Sequence, residues 1–592
     1  MTLTDALSTI AAEAFAAAGF DSTHALVRVS DRPDLGQFQC NGALAAAKAA
    51  KQNPRAIAEA VRERLAAHPM FESVSIAGPG FLNLKVTDTA LGATLVNLAT
   101  SGAAAEWRIE SPQTFVIDYG GPNIAKPLHV GHLRSAIIGE ALKRLLRFVG
   151  CAVVGDIHLG DWGLPMGQLI TEIEREQPDL PYFDAAFDGP YPDASPVNLA
   201  DLERLYPQAS AACKADPARA EEAKAATAAL QSGRPGYRAL WRHFIEISRA
   251  AIEREYADLG VSFDLWKGES DAGPFIPKVS DILRGKGLTK IDDGAEIVSV
   301  ARDTDAKELP PLILFKSDGS VLYGTTDLAT ILDRVTSIEP DRVLYVVDQR
   351  QALHFEQVFR AAAAAGFIDE DRLEHIGFGT MNGKDGKPFK TRAGGVLKLR
   401  DLIDMVDEKA KARIQESGFA EGLDAEEADA IARKVGVAAL KFADLSNPRT
   451  TDYIFDVDRF TAFEGKTGPY LLYASVRIRS VLSKAGVDAE GAAAALASPA
   501  FQIASDEERD LALKLLLCDD VIRSATEKRA PHILCEHAFG LAQAFSKFYA
   551  LNRIADEADA GARTSRIALT AMTGRQLDGL LDILGIEAPE RM

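Results

Sequence analysis

Cysteine is scarce and scattered. The five cysteines (Cys40, Cys151, Cys213, Cys518, Cys535) form no CxxC pair, so neither a disulfide framework nor a zinc knuckle is expected, and a reducing compartment fits. The first twenty residues hold Asp5 and Glu13 but no Lys or Arg, the wrong charge pattern for a secretory signal or an Arg-rich transit peptide. No uninterrupted apolar run of about twenty residues occurs, so no membrane span is expected and the cytoplasm is the expected location. Positive charge is also in deficit. A formal net charge of -19 argues against a general nucleic-acid binder, because phosphate binding needs Lys and Arg to displace counterions. Internal repeats and low-complexity linkers are absent from the sequence.

What is present is the make-up of an ordinary globular protein, 47% hydrophobic and 26% charged, with length for roughly three or four domains. Residues 1–110 read as a small α+β module, with an Ala-rich helix, LVRVS, a helix ending VRERLAAH, and the strand run SVSIAGPGFLNLKV. A buried strand in TFVIDYG, a Gly-Pro-Asn turn and a long amphipathic helix from near His129 then open a nucleotide-type fold. CAVVGDIHLG repeats the strand, so a parallel sheet with crossover helices is the economical reading. Residues 171–251 read as a helical insertion. ILFKSDGSVLYGTTDLAT and RVLYVVD read as further strands and crossovers of the same sheet, and from about residue 400 the apolar spacing is helical. The expected class is α/β, a Rossmann-type parallel-sheet domain over 111–400, flanked by the α+β module and an all-α bundle over 401–592.

The chemistry concentrates in GPNIAKPLHVGHLRS, residues 121–135, between a strand and the helix after it. At such a helix start, unpaired backbone N–H groups and the dipole favour phosphate, and His129 and His132 share a face. Gly131 removes the side chain between them, so a flat purine can approach the backbone. Lys126 and the imidazoles are then placed to stabilise charge on an α-phosphate attacked by a carboxylate. A bare HxGH would as readily mark a core, surface or metal-binding pair. Behind a strand, a turn and PNIAK, it resembles the HIGH motif of class I aminoacyl-tRNA synthetases, and the longer string resembles the arginyl-tRNA synthetases in particular. The likeness continues in LGDWG (159–163), LGVSFDLWKGES (259–270), VLYGTTDLATILDR (321–334), FEGKTGPYLLYASVRIRS (463–480) and the closing LLDILGIEAPERM.

That resemblance implies ATP-dependent activation of L-arginine, its transfer to the 3′ end of tRNA(Arg) with release of AMP and pyrophosphate, and a tRNA requirement even for activation. It further implies a monomer and Mg2+ accompanying ATP; no carboxylate cluster marks a protein-built metal site. One departure stands out. The second class I signature, KMSKS, is missing, and GKPFKTRAGG (386–395) is the candidate replacement, with Lys387, Lys390 and Arg392 on a Gly-bounded loop. A solvated basic loop is the alternative. The resemblance gives Lys126 part of the missing motif's work.

A guanidinium is planar, permanently charged and has five donors, so its pocket needs carboxylates placed for forked hydrogen bonds. Asp327 and Glu269 are the candidates, although Asp327 also suits a helix N-cap and Glu269 an exposed turn. The resemblance adds Asn123 near the substrate's α-amino end and Tyr323 in the guanidinium pocket, where a core strand residue is the other reading. Gln351, in DQRQALHF, is a candidate for the substrate amine, and His354 beside it reads as structural.

For tRNA, residues 465–487 carry Lys466, Arg477, Arg479 and Lys484 with no acid, and 381–400 carry six basic residues against Asp385. Tyr470, Tyr473 and Arg477 fall at i, i+3 and i+7, two rings and a guanidinium on one helical face, a combination that stacks on splayed RNA bases or packs a core. The resemblance makes this region an anticodon-binding domain and the N-terminal module a grip on the tRNA elbow, with Arg55, Arg62 and Arg64 as phosphate contacts. Two rivals are a smaller HxGH nucleotidyltransferase, which has no need of the helical C-terminal third, and a non-catalytic synthetase-like regulator, which has no need of intact Lys126, His129, Gly131 and His132.

Overall fold

A computed structural model describes every residue except 1, 101–104, 318, 388, 390–396, 420, 489–490, 492–493, 496–497 and 499–500. The chain forms two compact units. One is residues 109–461; the other joins residues 1–108 to 462–592.

The central unit is built on a five-stranded sheet ordered Leu373–His375, Arg342–Val346, Thr114–Tyr119, Ala152–Leu159, Leu265–Gly268, parallel throughout. Phe115, Val116 and Ile117 are all buried, the near-continuous apolar reading of a strand covered on both faces. From Thr114–Tyr119 the chain crosses through the helix Val130–Phe148 to the neighbour on one side, while Arg342–Val346 lies on the other. The two carboxyl ends therefore diverge around a topological switch point, where open α/β sheets leave a crevice.

Between Ala152–Leu159 and Leu265–Gly268 stand four helices, Leu164–Glu176, Leu199–Ala215, Pro217–Gln231 and Pro235–Asp258. Pro217 and Pro235 occupy a first helical turn, where a missing N–H does no harm, so those prolines separate helices without breaking them.

Leu312–Phe315 does not extend the parallel sheet as its sequence suggested. It is the edge of a separate three-stranded antiparallel sheet with Ala295–Val298 and Thr289–Asp292. The cause is the two-residue turn Asp293-Gly294, with φ of 46° and 80°, the twist that closes a tight hairpin. Helices Leu399–Glu416 and Ala425–Leu445, counted from sequence with the C-terminal third, lie in the central unit, as does a short strand, Tyr453–Ile454, paired with Met381–Asn382.

In the second unit, the N-terminal module has an antiparallel sheet ordered Val27–Val29, Phe38–Cys40, Phe81–Val86, Phe71–Ala77. The C-terminal part is helical, from Gly468–Lys484 to Ala560–Ile583. Arg509 grips Asp88 through two hydrogen bonds of 2.5 and 2.6 Å, and Arg523 donates to Asp5 at 2.6 Å. Among the described residues no helix is long and apolar enough to cross a membrane.

Candidate active site

A cavity of about 430 Å³ opens at the switch point. Its walls include Asp118 and Gly120 from the end of one strand, Val346 and Asp348 from the other, Gly131 and His132 from the crossover helix, and Tyr323, Asp327, Gln351 and His354 opposite. Ser135 ties these parts together, accepting from Gly120 N–H at 2.8 Å and donating to the Val346 carbonyl at 2.7 Å.

The two histidines sit at the helix start. His129 is the N-cap, accepting Gly131 N–H at Nδ1 over 3.0 Å, while His132 Nδ1 accepts His129 N–H over 3.1 Å. Both protons are thereby placed on Nε2, and the rings stack with centroids 3.9 Å apart. A Cβ on residue 131 would stand 2.8 Å from the His129 ring, so only glycine leaves the pair intact. Burial lowers the His132 pKa to about 3, helped by His129 and Lys126; burial, then Lys126, also lowers His129. Both rings are neutral donors at neutral pH. Arg134, two residues on, is structural: it is buried, with Nε 3.0 Å from the Asp444 carboxylate and Nη1 donating to the Thr451 carbonyl.

The opposite wall is acidic. Asp327 lies inside the helix Tyr323–Ser337, whose N-cap is Leu322, so it is not a cap; its carboxylate accepts from His354 Nε2 at 2.5 Å. Tyr323 is not a core strand residue but the 68% exposed first residue of that helix. Glu269 opens the short helix Glu269–Ala272 and is half-buried, not an exposed turn acid. Burial, then the charges of Asp161 and Asp327, raises its pKa to about 7. Asp161, which sequence reasoning passed over inside LGDWG, is buried and holds this corner, accepting Ser270 N–H at 2.9 Å and Ser270 Oγ–H at 2.6 Å. His354 was read as structural, yet it lines the cavity and pairs with Asp327.

Of the residues singled out in sequence, Gly131, His132, Tyr323, Asp327 and Gln351 share this cavity. His129 stacks against it, and Glu269 lies within electrostatic reach of Tyr323 and Asp327. Asn123 is exposed beside the cavity's strand, bridged to Gly160, and is not among the lining residues. Lys126 is not on the wall either; its ammonium lies 4.5 Å above the Tyr206 ring. Lys387 is exposed, whereas Lys390 and Arg392 lie outside the described residues. The basic stretch around them is largely compensated: Lys384 pairs with Asp456 at 3.0 Å, Lys398 with Glu203 at 2.8 Å, and Arg400 with Asp404 at 2.6 Å.

In the other unit, Tyr470, Tyr473, Arg477 and Arg479 are half-buried on the helix Gly468–Lys484. Tyr470 meets Phe539 edge-on, Arg477 lies 4.3 Å over the Tyr473 ring, and Arg479 pairs with Asp578 at 3.0 Å. Arg55 is exposed and donates to the Gly78 carbonyl at 3.2 Å; Arg62 pairs with Glu59.

Known proteins share both the sequence and this architecture. Residues 94–457 match the family of tRNA synthetases class I (R), catalytic domain, residues 471–592 the DALR anticodon binding domain, and residues 1–86 the arginyl tRNA synthetase N terminal domain. The arginine–tRNA ligase of Hyphomonas neptunium is 54% identical, with 99% of each chain covered, and that of Maricaulis maris is 52% identical over the whole of both. The crystal structure of arginyl-tRNA synthetase from Plasmodium falciparum superposes with a TM-score of 0.82 at 25% identity, covering 100% of this chain and 99% of that one. Thermus thermophilus arginyl-tRNA synthetase shares the fold at a TM-score of 0.78, 22% identity and full coverage of both chains. The chain belongs to the arginine–tRNA ligase family.

Proposed function

We propose that the switch-point cavity is where arginine meets ATP, with the guanidinium held by Glu269, Asp327 and Tyr323 and the nucleotide seated on Gly131 against His129 and His132. The reaction of the family is ATP-dependent ligation of arginine to tRNA: the carboxylate attacks the α-phosphate, pyrophosphate leaves, and a tRNA 3′ hydroxyl then takes the arginyl group from the adenylate, releasing AMP. The observation that carries this reading is the polarity of one cavity, with Asp327 on one wall and, on another, His132 of a helix N-terminus with His129 stacked behind it.

At the acidic end, carboxylates match a forked cation that a lysine-sized ammonium would fill less well. Gln351 and Asn123 would hold the α-amino group. At the other end the imidazole Nε2–H groups donate to phosphate oxygens as charge develops; the amides of His129, Val130, Gly131 and His132, expected from sequence to be unpaired, are taken up by His132 Nδ1, the Leu397 carbonyl, His129 Nδ1 and the His129 carbonyl, and so fix the rings instead. Lys126 and Lys387 supply the phosphate-binding cations that KMSKS provides elsewhere in class I, and Lys390 would join them. Mg2+ would arrive on the ATP phosphates; among the described residues no group of three His, Cys, Asp or Glu side chains gathers to hold a metal. Tyr470, Tyr473, Arg477 and Arg479 would meet anticodon bases, and Arg55 a phosphate of the tRNA elbow, so that residues 1–110 and the C-terminal bundle bind tRNA while the central domain does chemistry. The enzyme would work as a monomer in the cytoplasm.

Exchange of labelled pyrophosphate into ATP, run with each of the twenty amino acids with and without tRNA, tests the reading. Exchange is expected with arginine and to depend on tRNA. Exchange with another amino acid, or with none, would refute it.

A further inference from the structure

The helical insertion has no chemistry assigned to it, yet one of its helices reaches the segment that carries the active-site lysine. Leu199–Ala215 is fixed at its start by a reciprocal cap between Asn198 and Asp201. Its Tyr206 lies under the Lys126 ammonium, 4.5 Å from Nζ to the ring centroid. Three residues earlier, Glu203 pairs with Lys398 at 2.8 Å. Lys398 belongs to the same locality, because it forms an antiparallel bridge with His129, with Val130 N–H donating to the Leu397 carbonyl at 3.1 Å and Leu399 N–H to that of Leu128 at 2.9 Å. Residues 203 and 206, on one helical face, thus hold Lys126 and Lys398, in the two segments beside the histidine pair. Pro207 follows directly inside the helix and has no N–H for the Glu203 carbonyl.

Lys126 is close enough for its charge to depress both imidazoles, but its side chain is not among those lining the cavity. We infer that Tyr206 is a positioning residue that holds Lys126 off the nucleotide site in the resting enzyme, so that ATP must draw the ammonium from the ring. The inference rests on Lys126 being a phosphate ligand, as read above. An aromatic face holds a cation through its quadrupole, while phosphate oxygens offer stronger charge-assisted hydrogen bonds, so the transfer is downhill once ATP is present. Until then the parked state competes with binding and weakens apparent ATP affinity by the fraction of enzyme whose lysine is free. The Glu203–Lys398 pair keeps the ring beside the loop, so Lys126 returns to it when products leave.

The test is arginine- and tRNA-supported pyrophosphate exchange at varied ATP in wild type, Y206F, Y206Q and K126M. Y206F keeps an aromatic face and is expected to match wild type. Y206Q removes the face and is expected to lower the ATP KM about two- to fivefold with kcat unchanged. An ATP KM that is unchanged or higher in folded Y206Q overturns the inference. Should Y206Q fail to fold, fluorinated phenylalanines at position 206 keep the shape while draining the quadrupole; the ATP KM is expected to fall with each added fluorine, and a flat series overturns the inference. K126M separates the two layers. Near-wild-type exchange there removes the phosphate-ligand reading and the clamp with it, whereas deep loss in K126M beside an unchanged KM in Y206Q removes the clamp alone.

Discussion

Arginine binding should expel a proton. Glu269 has its pKa raised to about 7 by burial and by the charges of Asp161 and Asp327, so near neutrality about half the free enzyme carries a protonated Glu269. A guanidinium beside it favours the carboxylate and lowers that pKa, which links binding to proton release. The sign follows: affinity is greatest above the free-site pKa and falls as pH drops through it. If only the ionised form binds, the apparent Kd at pH 8 is within about ten per cent of its plateau, at pH 7 it is about twofold weaker, and at pH 6 about tenfold weaker. Calorimetry of arginine binding at pH 7, in two buffers of different ionisation enthalpy, should read about half a proton released per arginine. Glu269→Gln should abolish both the release and the pH dependence. It should also weaken the plateau about tenfold to a hundredfold, the worth of a hydrogen bond to a charged group. An arginine Kd flat from pH 6 to 8 with no proton exchanged would mean that Glu269 does not receive the guanidinium.

Three other perturbations separate binding, geometry and stability. Gly131→Ala adds a Cβ 2.8 Å from the His129 ring, so pyrophosphate exchange should fall at least about tenfold while the melting temperature changes little, the loss of the His129 cap, about 0.5–2 kcal/mol, offsetting the helix preference of alanine, up to about 1 kcal/mol; unaltered exchange would show that the stacked pair is not needed. Asp327→Ala should raise the arginine KM about tenfold to a hundredfold and leave the ATP KM within about twofold, whereas equal loss of both would mark Asp327 as structural. Asp444→Ala leaves the Arg134 guanidinium buried without its carboxylate, 3.0 Å away in the native pair, and should destabilise the central unit by about 3–5 kcal/mol in denaturant unfolding. A change under about 1 kcal/mol would mean that water reaches the site.

Local signals carried well from sequence to structure. The apolar run before Gly120, the turn and the histidine-capped helix were legible because each is written in adjacent residues. Leu312–Phe315 was misassigned because its partner strands announce themselves only through Asp293-Gly294, a hairpin signal available in KIDDGAEIV. The contacts of Asp161 and His354 were illegible for another reason: they are made with Ser270, 109 residues away, and with Asp327, 27 residues away, and no spacing rule reaches that far. Tyr206 left no trace in sequence at all. Its meeting with Lys126 depends on where an inserted helix lands.

The most direct test of the central claim is charging of a tRNA pool with ATP and labelled arginine, with citrulline in parallel. Citrulline keeps the shape of arginine but replaces the cationic end with a neutral urea whose oxygen would face Glu269 and Asp327. Arginyl-tRNA is expected, with no detectable citrullyl-tRNA. Equal charging of the two, or charging by some other amino acid in place of arginine, would contradict the claim.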